Sequence, residues 1–105
     1  MCNCGDYYRG SKKGEPVSFE AKPGEYKIDP ATGNVKTTHG VSVFYNSASV
    51  SNKGFEPHKV DMSTVSDDLN IIQRGNDIKH YEIVPAKPMP LDDYQAALSK
   101  VKVSN

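Results

Sequence analysis

The chain has 105 residues, 13 basic and 13 acidic, so its formal net charge is zero and its isoelectric point lies near neutrality. One domain of this size buries roughly two thirds of its unfolded surface, and its 21 Leu, Ile, Val and Phe residues are close to the floor for a folded domain. The balanced charge argues against disorder and removes the basic footprint of a nucleic-acid or anionic-membrane binder, and no apolar run nears the ~20 residues of a membrane span.

In chain order, Cys2 and Cys4 come first. A bridge between them would close too small a loop to staple a fold, and no ligand-pair spacing with His39, His58 or His80 supports a metal site; exposed terminal thiols are expected. No apolar signal core opens the chain, which predicts a cytoplasmic protein unless a machine that ignores such signals exports it. Residues 1–39 hold four of the 21 aliphatic or Phe residues, and the first forty residues carry six of the eight glycines. This part is expected to be loop-rich, with turns at Pro23-Gly24 and at Asp29 to Gly33, and with one strand starting at Tyr7-Tyr8-Arg9.

A core-building part, residues 40–101, completes the single domain. Val41, Val43 and Tyr45 alternate with Ser42 and Phe44, the period of a strand. Asn46 or Ser47 can cap a short helix that stops at Gly54, and two strands flank the turn at Gly75-Asn76-Asp77. Pro90 opens a C-terminal helix whose Asp92 and Asp93 suit its N-terminus and whose Leu91, Tyr94, Leu98 and Val101 form a buried stripe. The order predicts an α+β fold: a bent, mostly antiparallel sheet with a short helix and a C-terminal helix on one face.

Residues able to carry chemistry are sparse: Arg9, Ser42, Tyr45, His80, Tyr81 and Glu82. No phosphate-binding Gly loop, dinucleotide fingerprint or nucleophile elbow is present. Each has a plainer reading as well: Arg9 in a surface ion pair, Ser42 bonding a neighbouring strand, His80 as a structural histidine. Alternation puts Tyr81 and Ile83 on one strand face and His80, Glu82 and Val84 on the other.

Three segments, Gly40 to Phe44 (GVSVF), Ser66 to Ile71 (SDDLNI) and His80 to Met89 (HYEIVPAKPM), with a weaker Tyr8-Arg9 anchor, carry a resemblance. Their order and spacing resemble those of the NAD-dependent cytotoxin family exported by the type VI secretion system. That family's pattern reads Tyr-Arg, then Gly-Thr-Ser-Val-Phe, a Pro-Asp-Asp-Leu-like segment and His-Tyr-x-Ile-x-Pro-Ala-Lys-Pro-Met. The resemblance implies an ADP-ribosyltransferase-like fold and NAD as substrate or ligand. It implies Ser42 and His80 as the catalytic pair, and Arg9, Tyr8, Ser42, Tyr45 and His80 as NAD contacts, with Arg9 anchoring an anion and no metal. Val41 stands where the family has threonine, and Glu82 is not marked by the family pattern.

Two alternatives stay open on the residues: a non-enzymatic binding module that keeps the toxin fold, and a toxin acting on RNA through His80, against which the charge balance weighs. An NAD-consuming toxin endangers its producer, so a neutralising immunity protein is the expected partner of a monomer. An acidic one would dock over Tyr7 to Gly10 and the loop of Lys12, Lys13 and Lys22.

Overall fold

In the computed structural model, which describes residues 6–104, six strands form one antiparallel sheet. They are β1 (Tyr8–Ser11), β2 (Val41–Phe44), β3 (Glu56–Asp61), β4 (Leu69–Gln73), β5 (His80–Pro85) and β6 (Lys102–Ser104). Their spatial order is β4-β5-β2-β1-β3-β6. Two α-helices, α1 (Ser47–Ser51) and α2 (Leu91–Ser99), complete a small α+β domain with a curled sheet. Among the described residues no helix is long and apolar enough to cross a membrane. The expectation for Cys2 and Cys4 lies outside the described residues.

Local chemistry accounts for the elements foreseen from sequence. The Asn46 side chain accepts the Ala48 N–H at 2.7 Å and so opens α1, and Gly54 ends that segment with a φ of +86°. Gly75, at φ +83°, turns β4 into β5. Pro90 sits at the cap position of α2, with Asp92 and Asp93 in its first turn against the positive end of the helix dipole.

Two strands went unforeseen. β3 has the sequence Glu-Pro-His-Lys-Val-Asp, with a single aliphatic residue, and it is held by four register pairs to β1. Lys102 to Ser104 adds a short edge strand to β3, so the sheet runs past residue 101.

The helices also depart from expectation, because they lie on opposite faces. Val41, Val43, Val60 and Ile83 point to the main core, where Tyr94 and Leu98 of α2 are fully buried. Tyr8 pairs with Phe44, so Gly10, Ser42 and Phe44 share the second face. There α1 packs on Gly10: a Cβ at that position would meet Val50 at 3.0 Å and Phe55 at 3.1 Å. With Val50 as its one buried residue, α1 packs mainly over the β1–β3 end of this face.

The N-terminal part is irregular yet docked. Gln95 of α2 donates to the Ala21 carbonyl and accepts the Ala21 N–H, both at 2.9 Å, so an amide side chain takes the place of a strand neighbour. Bridges Ile28–Val35 and Val35–Met89 tie a short ribbon to the exit of β5.

Tyr94 welds α2 to the sheet. Its buried hydroxyl donates to the Ile83 carbonyl and accepts the Val41 N–H at 3.3 Å, and burial pushes the phenol well above its ordinary range. Tyr94→Phe would remove the buried hydroxyl that bonds both backbone groups and leave them only their ladder pairing. A loss of about 2–4 kcal/mol in stability is expected, read as a lower denaturant midpoint in urea unfolding at unchanged slope.

Candidate functional site

The sheet opens between β1 and β2. These strands share one register pair, Tyr8–Phe44, whereas β2 and β5 share four. Beyond Phe44 the backbone of Ser42 is satisfied by side chains instead: its carbonyl accepts Arg9 Nη1 at 2.8 Å and its N–H donates to Glu25 Oε2 at 3.4 Å. Arg9 and Glu25 themselves pair at 3.1 Å, and Arg9 Nε donates to the Ser18 carbonyl at 2.9 Å. The pair forms a polar wedge in the opening.

On the second face, register does what alternation alone cannot. Ser42 lies opposite Glu82, and Phe44 opposite His80. The diagonal puts Ser42 Oγ 3.0 Å from His80 Nε2 across 38 residues of chain. His80 Nδ1 lies 2.9 Å from the Arg74 carbonyl, which can only accept. Nδ1 therefore carries the proton, and in the neutral ring Nε2 accepts from the serine hydroxyl.

Glu82 Oε1 accepts the Gly40 N–H at 2.9 Å. Its other oxygen stands 3.7 Å from His80 Nε2 and 3.7 Å from Arg74 Nε. The His80 side chain is 23% exposed and that of Glu82 11%, so both are confined yet within reach of a ligand.

Beside Ser42 a groove of about 210 Å³ is lined by Arg9, Gly10, Phe44, Val50, Lys53 and Phe55. Lys53 Nζ lies 5.2 Å from the centre of the Phe44 ring, a cation–π contact. A larger cavity, about 510 Å³, opens on the far side between the N-terminal segment, α2 and β6. Glu20 and Lys102 are the ionisable groups that line it, and it contains none of the converging residues. Chemistry, not size, selects the smaller groove.

Of the residues singled out from sequence, Ser42 and His80 meet, and Arg9 reaches them through the Ser42 carbonyl and the groove. Tyr8 and Tyr45 do not join them. Tyr45 packs on Tyr7 and Tyr81, with ring centres 5.7 and 6.1 Å away, and it lines a separate depression with Tyr8, Asp6, Asn46 and Ser47. Val41 is fully buried on the core face, so a threonine hydroxyl there would not enter the Ser42–His80 face.

Sequence reasoning left Glu82 unassigned and missed Glu25 and Arg74. For Glu82 the i+2 spacing from His80 was the available signal; the other two stand at turns that the sequence marks, but nothing in the pattern says where their side chains reach. No protein-family model, curated protein or solved structure matches this chain.

Proposed function

We propose that this domain is an NAD-dependent, ADP-ribosyltransferase-like toxin that breaks the bond between nicotinamide and ribose. The observation that carries the reading is the convergence of Ser42, His80 and Glu82 beside a groove with an aromatic wall. In this reaction the C1′–N bond breaks, its electron pair leaves with neutral nicotinamide, and the ribose becomes oxocarbenium-like until a nucleophile adds at C1′ and loses its proton. Glu82 is the anionic group placed to stabilise that developing charge, and the Ser42–His80 pair to hold a ribose hydroxyl or the carboxamide. At about 210 Å³ the groove suits one planar ring, below the range that encloses a whole ligand.

A serine-hydrolase reading has less support. Ser42 and His80 have nucleophile–base geometry, but Nδ1 is held by a carbonyl, not a carboxylate, and the Ser42 N–H that could serve an oxyanion is taken by Glu25. A binding module that keeps the fold is the second reading, favoured by the Arg9–Glu25 wedge occupying the opening between β1 and β2. For the toxin, whose activity endangers its producer, an acidic immunity protein would cover the cleft mouth. Lys22 already pairs with Glu20 at 2.9 Å, which leaves Lys12 and Lys13 for steering it.

Purified protein incubated with NAD should release nicotinamide, and its expression without a neutralising partner should arrest bacterial growth. Binding without release would select the second reading. Ser42→Ala and His80→Ala are each expected to lower release by about 100-fold, with the melting temperature held. Because the two side chains act as one unit, the double variant should fall little further.

A further inference from the structure

We propose that Lys27, Lys36, His39 and Arg74 form an anion-binding rim beside the Ser42–His80–Glu82 face, and that it takes the pyrophosphate of the dinucleotide; this rests on the NAD reading above. Arg9 is the arginine that the sequence offers for this task, but Glu25 pairs with it at 3.1 Å and two of its nitrogens hold carbonyls. Arg74 faces Glu82 at the longer distance of 3.7 Å, holds one carbonyl, and is joined by the exposed Lys27 and Lys36. The rim is assembled on the other side of the reacting face.

Its geometry is built, not incidental. The Lys36 N–H donates to the Lys27 carbonyl at 2.8 Å, which sets the two lysines side by side on the ribbon fixed by the Ile28–Val35 and Val35–Met89 bridges. Arg74 Nη1 donates to the Thr38 carbonyl at 2.8 Å, and this pins the turn that leads from the ribbon into β2. His39 in that turn is held by Thr38 Oγ1 at 2.8 Å. The same Arg74 carries the carbonyl that orients His80, so rim and reacting face share one residue.

The electrostatics agree with the geometry. His39 is held below the usual histidine range by burial first, then by the positive charge of Arg74 and, more weakly, of Lys27 and Lys36, with Glu82 the one acid opposing them. His39 thus stands in the field of Arg74, Lys27 and Lys36, opposed by Glu82, in a chain that is neutral as a whole. The resulting order is groove, Ser42 with His80 and Glu82, then rim. It matches the order ring, ribose, phosphates along the nicotinamide half of NAD.

The test is calorimetric titration of the full chain with NAD, ADP-ribose, nicotinamide riboside and inorganic pyrophosphate. Wild type would be compared with Lys27→Gln/Lys36→Gln and, as a charge-matched control, Lys12→Gln/Lys13→Gln. The rim variant is expected to bind NAD and ADP-ribose about tenfold more weakly and with a flatter salt dependence, and to bind nicotinamide riboside as wild type does. The control should leave all four ligands unchanged. If NAD binds the rim variant and Arg74→Gln as tightly as wild type, the rim is wrong and the NAD reading stands. If wild type binds pyrophosphate through Lys27 and Lys36 but neither NAD nor nicotinamide riboside, the rim stands and the NAD reading falls. Loss of all binding in wild type overturns both.

Discussion

Gly40→Ala is expected to cost about 3 kcal/mol or more, the largest stability loss of a methyl added at any glycine among the described residues. A Cβ at Gly40 would lie 2.0 Å from the Ile83 carbonyl oxygen, 2.6 Å from its carbon and 2.7 Å from the Tyr94 hydroxyl. None of these can step aside cheaply: Ile83 belongs to the ladder between β5 and β2, and the Tyr94 hydroxyl is bonded to both strands. Relief requires β2 to separate from β5 or α2 to lift off the sheet. Either movement also strains the bond from the Gly40 N–H to Glu82, so site and core should fail together. Urea unfolding of the variant, with Gly24→Ala as control, checks this. At Gly24 an added Cβ meets nothing within 4 Å, and a change under about 0.5 kcal/mol is expected. Equal, small effects at both positions would show that the β2–β5 entrance yields more easily than its backbone contacts imply.

Glu82→Gln should produce the largest loss of activity. Glutamine keeps the shape and an oxygen for the Gly40 N–H, so the fold is expected to hold with little change in melting temperature. What disappears is the one negative charge beside His80 and Arg74. If that charge stabilises an oxocarbenium-like state, nicotinamide release should fall by about 100- to 1,000-fold, mostly in kcat with KM changed little. Glu82→Ala separates the two roles of the carboxylate, because it also leaves a buried N–H unpaired and should cost a further ~1–3 kcal/mol in stability. Unchanged release in Glu82→Gln, with destabilisation in Glu82→Ala, would make Glu82 a structural acceptor only.

Much of the scaffold was legible because its determinants are local. Alternation marked β2, turn chemistry at Gly75 marked the β4–β5 pair, Asn46 marked the start of α1, and the apolar spacing of Tyr94 and Leu98 marked α2. β3 escaped because its hydrogen bonds to β1 need no apolar pattern, and β6 because three residues carry no periodicity. The placement of α1 opposite α2 was equally hidden, since a five-residue helix shows no stripe to say which face it covers.

For the site the division is sharper. By itself the sequence determined that His80 and Glu82 share a strand face, and that Ser42 alternates away from Val41 and Val43, because side chains on a strand have a period of two. Only the tertiary structure decided that Ser42 sits across from Glu82 and reaches His80, since strand register over 38 residues depends on the whole core and not on either strand. It also decided that Arg9 is tied to Glu25, that Tyr45 turns toward Tyr7 and Tyr81, that Arg74 holds the Thr38 carbonyl beside His39, and that Lys27 pairs with Lys36. The physical reason is shared: Arg9 and Tyr81 lie on strands, but the partners that fix them, such as Glu25 and Tyr45, come from segments outside the strands, whose paths follow from how their backbone polar groups find partners in the folded molecule.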